Sequence, residues 1–300
     1  MKLTKKLFGV VSAMTTPFDE SGKVKLDSIE EHAEFLINKG VHGLYPLGTT
    51  GEMLRIDKEE RKSVAKKVVE VANNRVNVFI HVGAMLEDDT IELAKHAHKI
   101  GADGIGVVTP AYFNANDKEI EEYFVRVANS VPKDFSVYLY NIPQCASNAL
   151  SVEVAKSVAK RCENVIGVKN SSSDLLLTND YLTINNNSFS IMPGADQLFL
   201  PTLSMGCDGV VSGVSSAFPE PFVAVYNAFK NGDMKKAREQ QQVANIFCKE
   251  LLAGANMSYF KEAIKYRGID AGYMKAPQLD IDGEELKNLH QTLNKITNLL

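Results

Sequence analysis

The 300-residue sequence has no apolar run near the roughly 18 residues that a membrane-spanning helix needs, so no membrane partner is expected. Cysteine is scarce. Cys145, Cys162, Cys207 and Cys248 include no C-x-x-C pair and are too scattered for a disulfide framework, a pattern that fits free thiols in a reducing cytoplasm. Neither sign of charge dominates: 33 Lys and Arg stand against 37 Asp and Glu, a net charge of −4. No basic stripe interleaves with aromatics, so nothing calls for a nucleic-acid partner. No H-E-x-x-H occurs among the 6 histidines, and His96 and His98 stand two apart on a helical stretch and face different ways. No metal site is expected. What is present is ordinary globular composition, 45% hydrophobic and 23% charged, which excludes disorder and collagen-like repetition. At the N-terminus, Lys2, Lys5 and Lys6 precede Leu7-Phe8-Gly9-Val10-Val11 and imitate a signal peptide. The apolar run is short and enters Thr15-Thr16-Pro17 without a small-x-small cleavage site, so it reads as a first strand.

Short apolar runs alternate with longer amphipathic ones. Strands are expected at 8–13, 43–47, 77–82, 104–109, 135–140, 165–169, 189–193 and 209–213. Helices are expected near 27–39, 57–73, 88–100, 117–130, 151–161, 174–182, 196–205 and 220–230. Ile91, Ala94, Ala97 and Ile100 recur along one face of the third helix, with Glu92, Lys95 and Lys99 outside. One pattern repeats: Gly40-Val41-His42-Gly43-Leu44, Gly101-Ala102-Asp103-Gly104-Ile105 and Gly206-Cys207-Asp208-Gly209-Val210 all read G-x-[HD]-G-apolar. It reads as a helix ending on a left-handed glycine, a tight turn and a buried strand. Eight strand–helix alternations in about 230 residues predict a (β/α)8 TIM barrel over residues 1–231. A doubly wound sheet is the rival, but no G-x-G-x-x-G follows the first strand. Residues 232–300 exceed what a barrel needs. They read as a C-terminal helical extension, with helices near 233–253, 257–267 and 283–298, packed on the barrel or forming an inter-subunit surface.

In such a barrel the active site lies at the C-terminal ends of the strands. Lys169 ends the run Val165-Ile166-Gly167-Val168 and precedes Asn170-Ser171-Ser172-Ser173. A lysine at the end of a core strand is either used or paired. Burial frees an amine as a nucleophile, which with a carbonyl substrate gives a Schiff base; snorkelling to solvent or to a carboxylate is the structural alternative. Tyr140 ends the fifth strand in Tyr140-Asn141-Ile142-Pro143, and a phenol there either carries protons for the carbinolamine or simply packs. Gly48-Thr49-Thr50-Gly51-Glu52 follows the second strand. Its glycines, hydroxyls and free N–H groups suit a carboxylate, although it would also pass for an ordinary turn; no Gly-Lys-Ser/Thr makes it a phosphate loop. Other strand ends contribute His81, Tyr112, Asp196 and Ser212. A glycosidase would need two carboxylates there, and only Asp196 offers itself. Nothing brings Cys145 and His81 together as a thiol–imidazole pair.

The Gly48–Glu52 loop, Tyr140-Asn141-Ile142-Pro143 and Gly167-Val168-Lys169, in that order and spacing, resemble the dihydrodipicolinate synthase/N-acetylneuraminate lyase family of Schiff-base aldolases. The resemblance runs from about Gly9 to Ala228. It implies a (β/α)8 barrel with a three-helix tail, a homotetramer built as a dimer of dimers, and pyruvate as common substrate or product without a cofactor. It implies that Lys169 forms the Schiff base and that Tyr140, with Thr50 and Tyr112, moves protons. Gly48, Thr49 and Thr50 would hold the pyruvate carboxylate, Val211 would offer a backbone contact, and Tyr112 would cross to a neighbouring subunit.

Three departures bear on the aldehyde partner. Where the synthases carry an arginine for the carboxylate of aspartate semialdehyde, this sequence has Cys145, and losing such a buried charged contact costs roughly 2–5 kcal/mol. Where the neuraminate lyases carry an acidic pair for sugar hydroxyls, it has Asp196-Gln197. Asp196, Gln197 and Ser212 would still suit a polyol, whereas Ala146-Ser147-Asn148 lacks the Thr-Gly common to the lyases and the sugar-acid aldolases, so the sequence matches no familiar subfamily throughout. The expected function is therefore a pyruvate-dependent class I aldolase for a hydroxylated 2-oxo acid of sugar-acid or sialic-acid type. Dihydrodipicolinate synthase is the alternative enzyme, and a keto-acid binding protein without turnover is the alternative of another class.

Overall fold

The computed structural model describes residues 5–300, so Lys2 lies outside the described residues. Eight parallel strands form one sheet: β1 (Gly9–Ala13), β2 (Gly43–Tyr45), β3 (Asn77–His81), β4 (Gly104–Val108), β5 (Ser136–Asn141), β6 (Val165–Asn170), β7 (Ser190–Pro193) and β8 (Gly209–Ser212). They pair in the order β7-β6-β5-β4-β3-β2-β1-β8. The Asp208 N–H donates to the Ile191 carbonyl of β7, which closes the sheet into an α/β barrel. Helices return the chain between strands, and three further helices follow at Met234–Glu250, Met257–Tyr266 and Gly283–Ile296. Among the described residues no helix is long and apolar enough to cross a membrane.

The repeated joint forms for the reason the sequence suggests. Gly40, Gly101 and Gly206 have φ of 84°, 85° and 108°, which only glycine adopts freely. After each, paired backbone bonds reach back into the helix: Gly40 to Ile37 and Val41 to Leu36, Gly101 to His98 and Ala102 to Ala97, Gly206 to Leu203 and Cys207 to Thr202. That is a Schellman ending, and it delivers the chain directly to a strand. The third residue then fastens the strand to its neighbour. His42 Nδ1 accepts from the Val10 N–H at 3.1 Å, Asp103 accepts from the Val78 N–H at 2.8 Å, and Asp208 accepts from the Ser190 hydroxyl at 2.6 Å.

Two cores result. The larger lies between strands and helices. The smaller fills the barrel with Leu7, Val11, Ala13, Tyr45, Phe79, Tyr138, Met192 and Val211. Three aromatics fit inside only because a glycine stands opposite each. A Cβ on Gly104 would lie 2.3 Å from Phe79, one on Gly106 1.7 Å from the Tyr45 hydroxyl, and one on Gly167 2.5 Å from Tyr138. Residues ahead of β1 close the lower end. Leu7 is fully buried and its N–H donates to the Tyr138 hydroxyl at 3.0 Å. This packed floor leaves the upper layer, where Tyr140 and Lys169 pair in register, as the place where a cavity opens.

Candidate active site

Lys169 projects into the barrel from β6 and is 4% exposed. Two aromatic rings face its amine: Nζ lies 4.1 Å from the Tyr140 ring centroid and 4.5 Å from that of Tyr45. Such contacts hold an amine in place for roughly 0.5–2 kcal/mol without supplying the carboxylate that would tie it up. Tyr45 is itself fixed by Gly106, and its hydroxyl has no hydrogen-bond partner. Burial and the neighbouring Tyr140 push the Tyr45 phenol well above the ordinary range, so it stays protonated. Below Tyr140, His81 packs edge-on at 5.8 Å and bonds the Leu47 carbonyl through Nδ1. Burial, reinforced by Arg61 and Lys169, holds His81 well below its ordinary pKa; it is a neutral spacer.

The Tyr140 hydroxyl meets two others, Thr49 Oγ1 at 3.4 Å and Ser171 Oγ at 3.4 Å. Sequence reasoning gave the proton relay to Thr50. The structure places Thr49 beside the phenol, while the hydroxyl of Thr50 turns toward Gly213. The loop holding both threonines is sharply folded. Leu47 and Glu52 have φ of 63° and 57°, a region that costs a non-glycine residue about 1–2 kcal/mol. The Gly51 N–H donates to the Gly48 carbonyl at 3.0 Å, and the Thr16 hydroxyl donates to the Gly51 carbonyl at 2.8 Å. A Cβ at Gly51 would strike the Leu47 backbone at 2.9 Å, which explains the glycine.

A cavity of about 920 Å³ opens over these groups. Of the candidates from the sequence, Lys169, Tyr140, Thr49, Thr50, Val211, Asp196, Gln197 and Cys145 line it. Gly48 does not; it lies against the Tyr45 ring and serves the loop turn. Ser212 does not either. Side chains alternate along β8, so Val211 faces the barrel and Ser212 cannot; its hydroxyl accepts the Ser215 N–H at 2.9 Å. Tyr112 sits on the loop after β4, 75% exposed and outside this chain's cavity. That loop is pinned by Asn148, whose side chain bonds the Ala115 N–H and the Pro110 and Phe113 carbonyls.

Other lining residues were missed by the sequence reading. Ser171, Ser172 and Ser173 form one wall, Gln144 projects from a short helix at Pro143–Ala146, and Met257 and Phe260 come from the C-terminal extension. The serine run and the Pro143 helix start were visible signals; the contribution of a helix about 90 residues downstream of Lys169 was not.

Asp196 is the cavity's other charged residue. Its Oδ2 accepts the Val214 N–H at 3.1 Å, whereas Oδ1 is buried without a partner. Burial lifts its pKa to about 6, against the lowering influence of the Val214 N–H, the Ser212 hydroxyl and Lys169. A smaller recess of about 290 Å³ adjoins at Cys145, walled by Val108, Ala111, Ile142 and Ala146. Arg55 borders it, but its guanidinium already serves Glu52 at 3.0 Å and Gln278 at 2.9 Å. Among the described residues, no group of three or more His, Cys, Asp or Glu is placed to hold a metal ion.

Comparison with known proteins bears on the family and the fold. The model of the dihydrodipicolinate synthetase family matches residues 6–296. An uncharacterized DapA-like lyase of Halobacterium salinarum is 35% identical over 287 residues, covering 96% of this chain and 93% of the relative. The 4-hydroxy-tetrahydrodipicolinate synthase of Methanocaldococcus jannaschii is 32% identical over 288 residues, covering 96% and 98%. Among solved structures, the prophage protein YagE of Escherichia coli K12, a member of the dihydrodipicolinic acid synthase family crystallised with pyruvate, superposes with a TM-score of 0.92 at 28% identity. That match covers 98% of this chain and 99% of the other.

Proposed function

The chain belongs to the dihydrodipicolinate synthetase family, and from that premise we propose that it joins or cleaves pyruvate and a hydroxylated aldehyde through a Schiff base on Lys169. At the family level it is a DapA-like, pyruvate-dependent lyase of the class I aldolase type.

In the cleavage direction Lys169 Nζ adds to the ketone carbon of a 2-oxo acid. The Tyr140 hydroxyl, with Thr49 and Ser171 in reach, passes a proton to the departing oxygen, and loss of water leaves an iminium. The iminium accepts the electron pair of the breaking C–C bond, the substrate hydroxyl gives up its proton, and an aldehyde departs. The remaining enamine takes a proton at carbon, and water releases pyruvate. Thr49 and Thr50 hold the carboxylate so that the reacting carbon meets Nζ, which is where positioning contributes most. Asp196, Gln197, Gln144 and the serine wall are suited to hydroxyls along the aldehyde portion. The partnerless Oδ1 of Asp196 is an acceptor awaiting one.

The observation that carries the reading is a lysine facing two aromatic rings in a cavity with no cation free for a second carboxylate. The synthase alternative draws support from Arg55 beside Cys145, which would have to leave Glu52 and Gln278 to bind aspartate semialdehyde. A panel of aldehydes with pyruvate separates the two. Hydroxylated aldehydes should be condensed and aspartate semialdehyde should not; the reverse preference refutes the polyol assignment, and no condensation with pyruvate at all leaves the keto-acid binding protein. Tyr112, Phe113, Leu54, Met85 and Leu86 are exposed apolar side chains around this end of the barrel. They suit an assembly in which Tyr112 reaches a neighbouring copy, as a homotetramer would require.

A further inference from the structure

Glu52 closes the Thr49-Thr50 loop, and its side chain points away from the cavity into the protein. It is 1% exposed and meets Lys261, 0% exposed, with Nζ 2.8 Å from Oε1. Lys261 lies on the helix Met257–Tyr266, in the extension rather than the barrel. Its ammonium also donates to the Tyr273 carbonyl and stacks 4.5 Å from the Phe18 ring centroid. The other Glu52 oxygen accepts from Arg55 at 3.0 Å and from the Lys275 N–H at 3.3 Å. One carboxylate thus gathers two separate segments of the extension onto the end of one barrel loop.

A buried ion pair adds little to stability compared with apolar side chains of the same size, because both ions lose their hydration. Its use is to specify position: a charge cannot slide along an apolar surface, and only one placement satisfies both partners. What is positioned here is functional on both sides. Glu52 is in left-handed backbone conformation three residues after Thr49, and its N–H donates to the Thr49 carbonyl at 3.0 Å. Residue 260, next to Lys261, places its ring over Gly213, where a Cβ would strike it at 2.8 Å and would lie 3.4 Å from the Thr50 hydroxyl. Loop, helix and cavity roof are therefore joined through direct contacts.

We propose that Glu52 and Lys261 are a positioning pair that sets the Thr49-Thr50 loop at the height needed to hold the pyruvate carboxylate over Lys169. This makes the C-terminal extension part of the catalytic apparatus, and it rests on the Schiff-base reading above. Displacing the loop by about an ångström should weaken pyruvate capture ~10–100-fold, the usual consequence of such misplacement.

The test is borohydride trapping of pyruvate as a function of pyruvate concentration, on wild type, Glu52→Gln, Lys261→Met and the double variant, with thermal melting alongside. Each single variant should melt earlier, because it leaves one buried group without its partner. The double variant should recover the melting temperature while still requiring ~10–100-fold more pyruvate for half-saturation. Adduct at saturation should remain on Lys169. A double variant that half-saturates at the wild-type pyruvate concentration overturns the proposal and leaves the pair a structural fastener. If a single variant does not fold, the double variant carries the test, since no fully buried charge in it is unpaired; Arg55, released from residue 52, is 31% exposed and keeps its bond to Gln278. A wild type that traps no pyruvate at any concentration refutes the Schiff-base reading itself, a result distinct from unchanged half-saturation in the variants.

Discussion

Asp196→Asn should make the protein more stable above pH 6 and leave it nearly unchanged at pH 4. The carboxyl is buried with one oxygen lacking a partner, and burial lifts its pKa from the ordinary 3.8 to about 6. A raised carboxyl pKa means that between those values the folded state holds a proton the unfolded chain has released. Stability from this residue is therefore complete below about pH 4 and falls as pH rises through the folded pKa. A displacement of roughly two pH units is worth about 3 kcal/mol, reached near pH 7. Asparagine keeps the acceptor for the Val214 N–H and carries no charge to bury. Surface ion pairs such as Lys58 with Asp89 and Glu92 give the whole protein an opposite trend in acid, so the informative quantity is the difference between variant and wild type. Thermal melts at half-unit intervals from pH 4 to 7.5 should show that difference growing to about 6 °C in favour of the variant, at ~2 °C per kcal/mol for a chain of this length. Parallel curves would refute the argument and mean that water or an added proton donor already satisfies Oδ1. The same substitution should weaken binding of hydroxylated substrate portions, because an amide offers its hydroxyl partner a weaker acceptor than a carboxylate.

Two further outcomes follow from the packing around Lys169. Tyr140→Phe should lower kcat by about 10²–10⁴-fold while leaving the adduct with pyruvate detectable on prolonged incubation; steady-state turnover beside trapping separates the two, and a loss below tenfold removes the phenol from the proton path. Gly106→Ala places a methyl 1.7 Å from the Tyr45 hydroxyl in the packed barrel floor, so it should cost about 1–3 kcal/mol in a denaturant titration and disturb the ring beneath Nζ; stability and pyruvate affinity both at wild-type level would contradict the packing described.

The barrel was legible because its punctuation is local. The three G-x-[HD]-G joints encode helix ending, turn and strand start within five residues, and each strand appears within two residues of its expected start. Lys169 and Tyr140 were legible for the same reason: position at the end of a buried strand is a local property. What the sequence withheld is set by long-range geometry. Ser212 follows Val211 directly, and only the closed barrel decides which of the two faces inward. Thr49 and Thr50 are chemically alike, and the left-handed turns at Leu47 and Glu52 select the one that meets the phenol. From the sequence the tail is expected to pack on the barrel or against another subunit. Its Met257 and Phe260 reach the cavity because Lys261 is drawn to a carboxylate more than 200 residues earlier, a pairing no periodicity reveals.

The central claim is a nucleophilic amine at Lys169, and borohydride reduction in the presence of pyruvate followed by peptide mass spectrometry tests it most directly. One reduced pyruvate adduct is expected, on Lys169, absent from a folded Lys169→Ala variant that has also lost turnover. A well-folded wild-type protein without the adduct, or an adduct on another lysine, would contradict it.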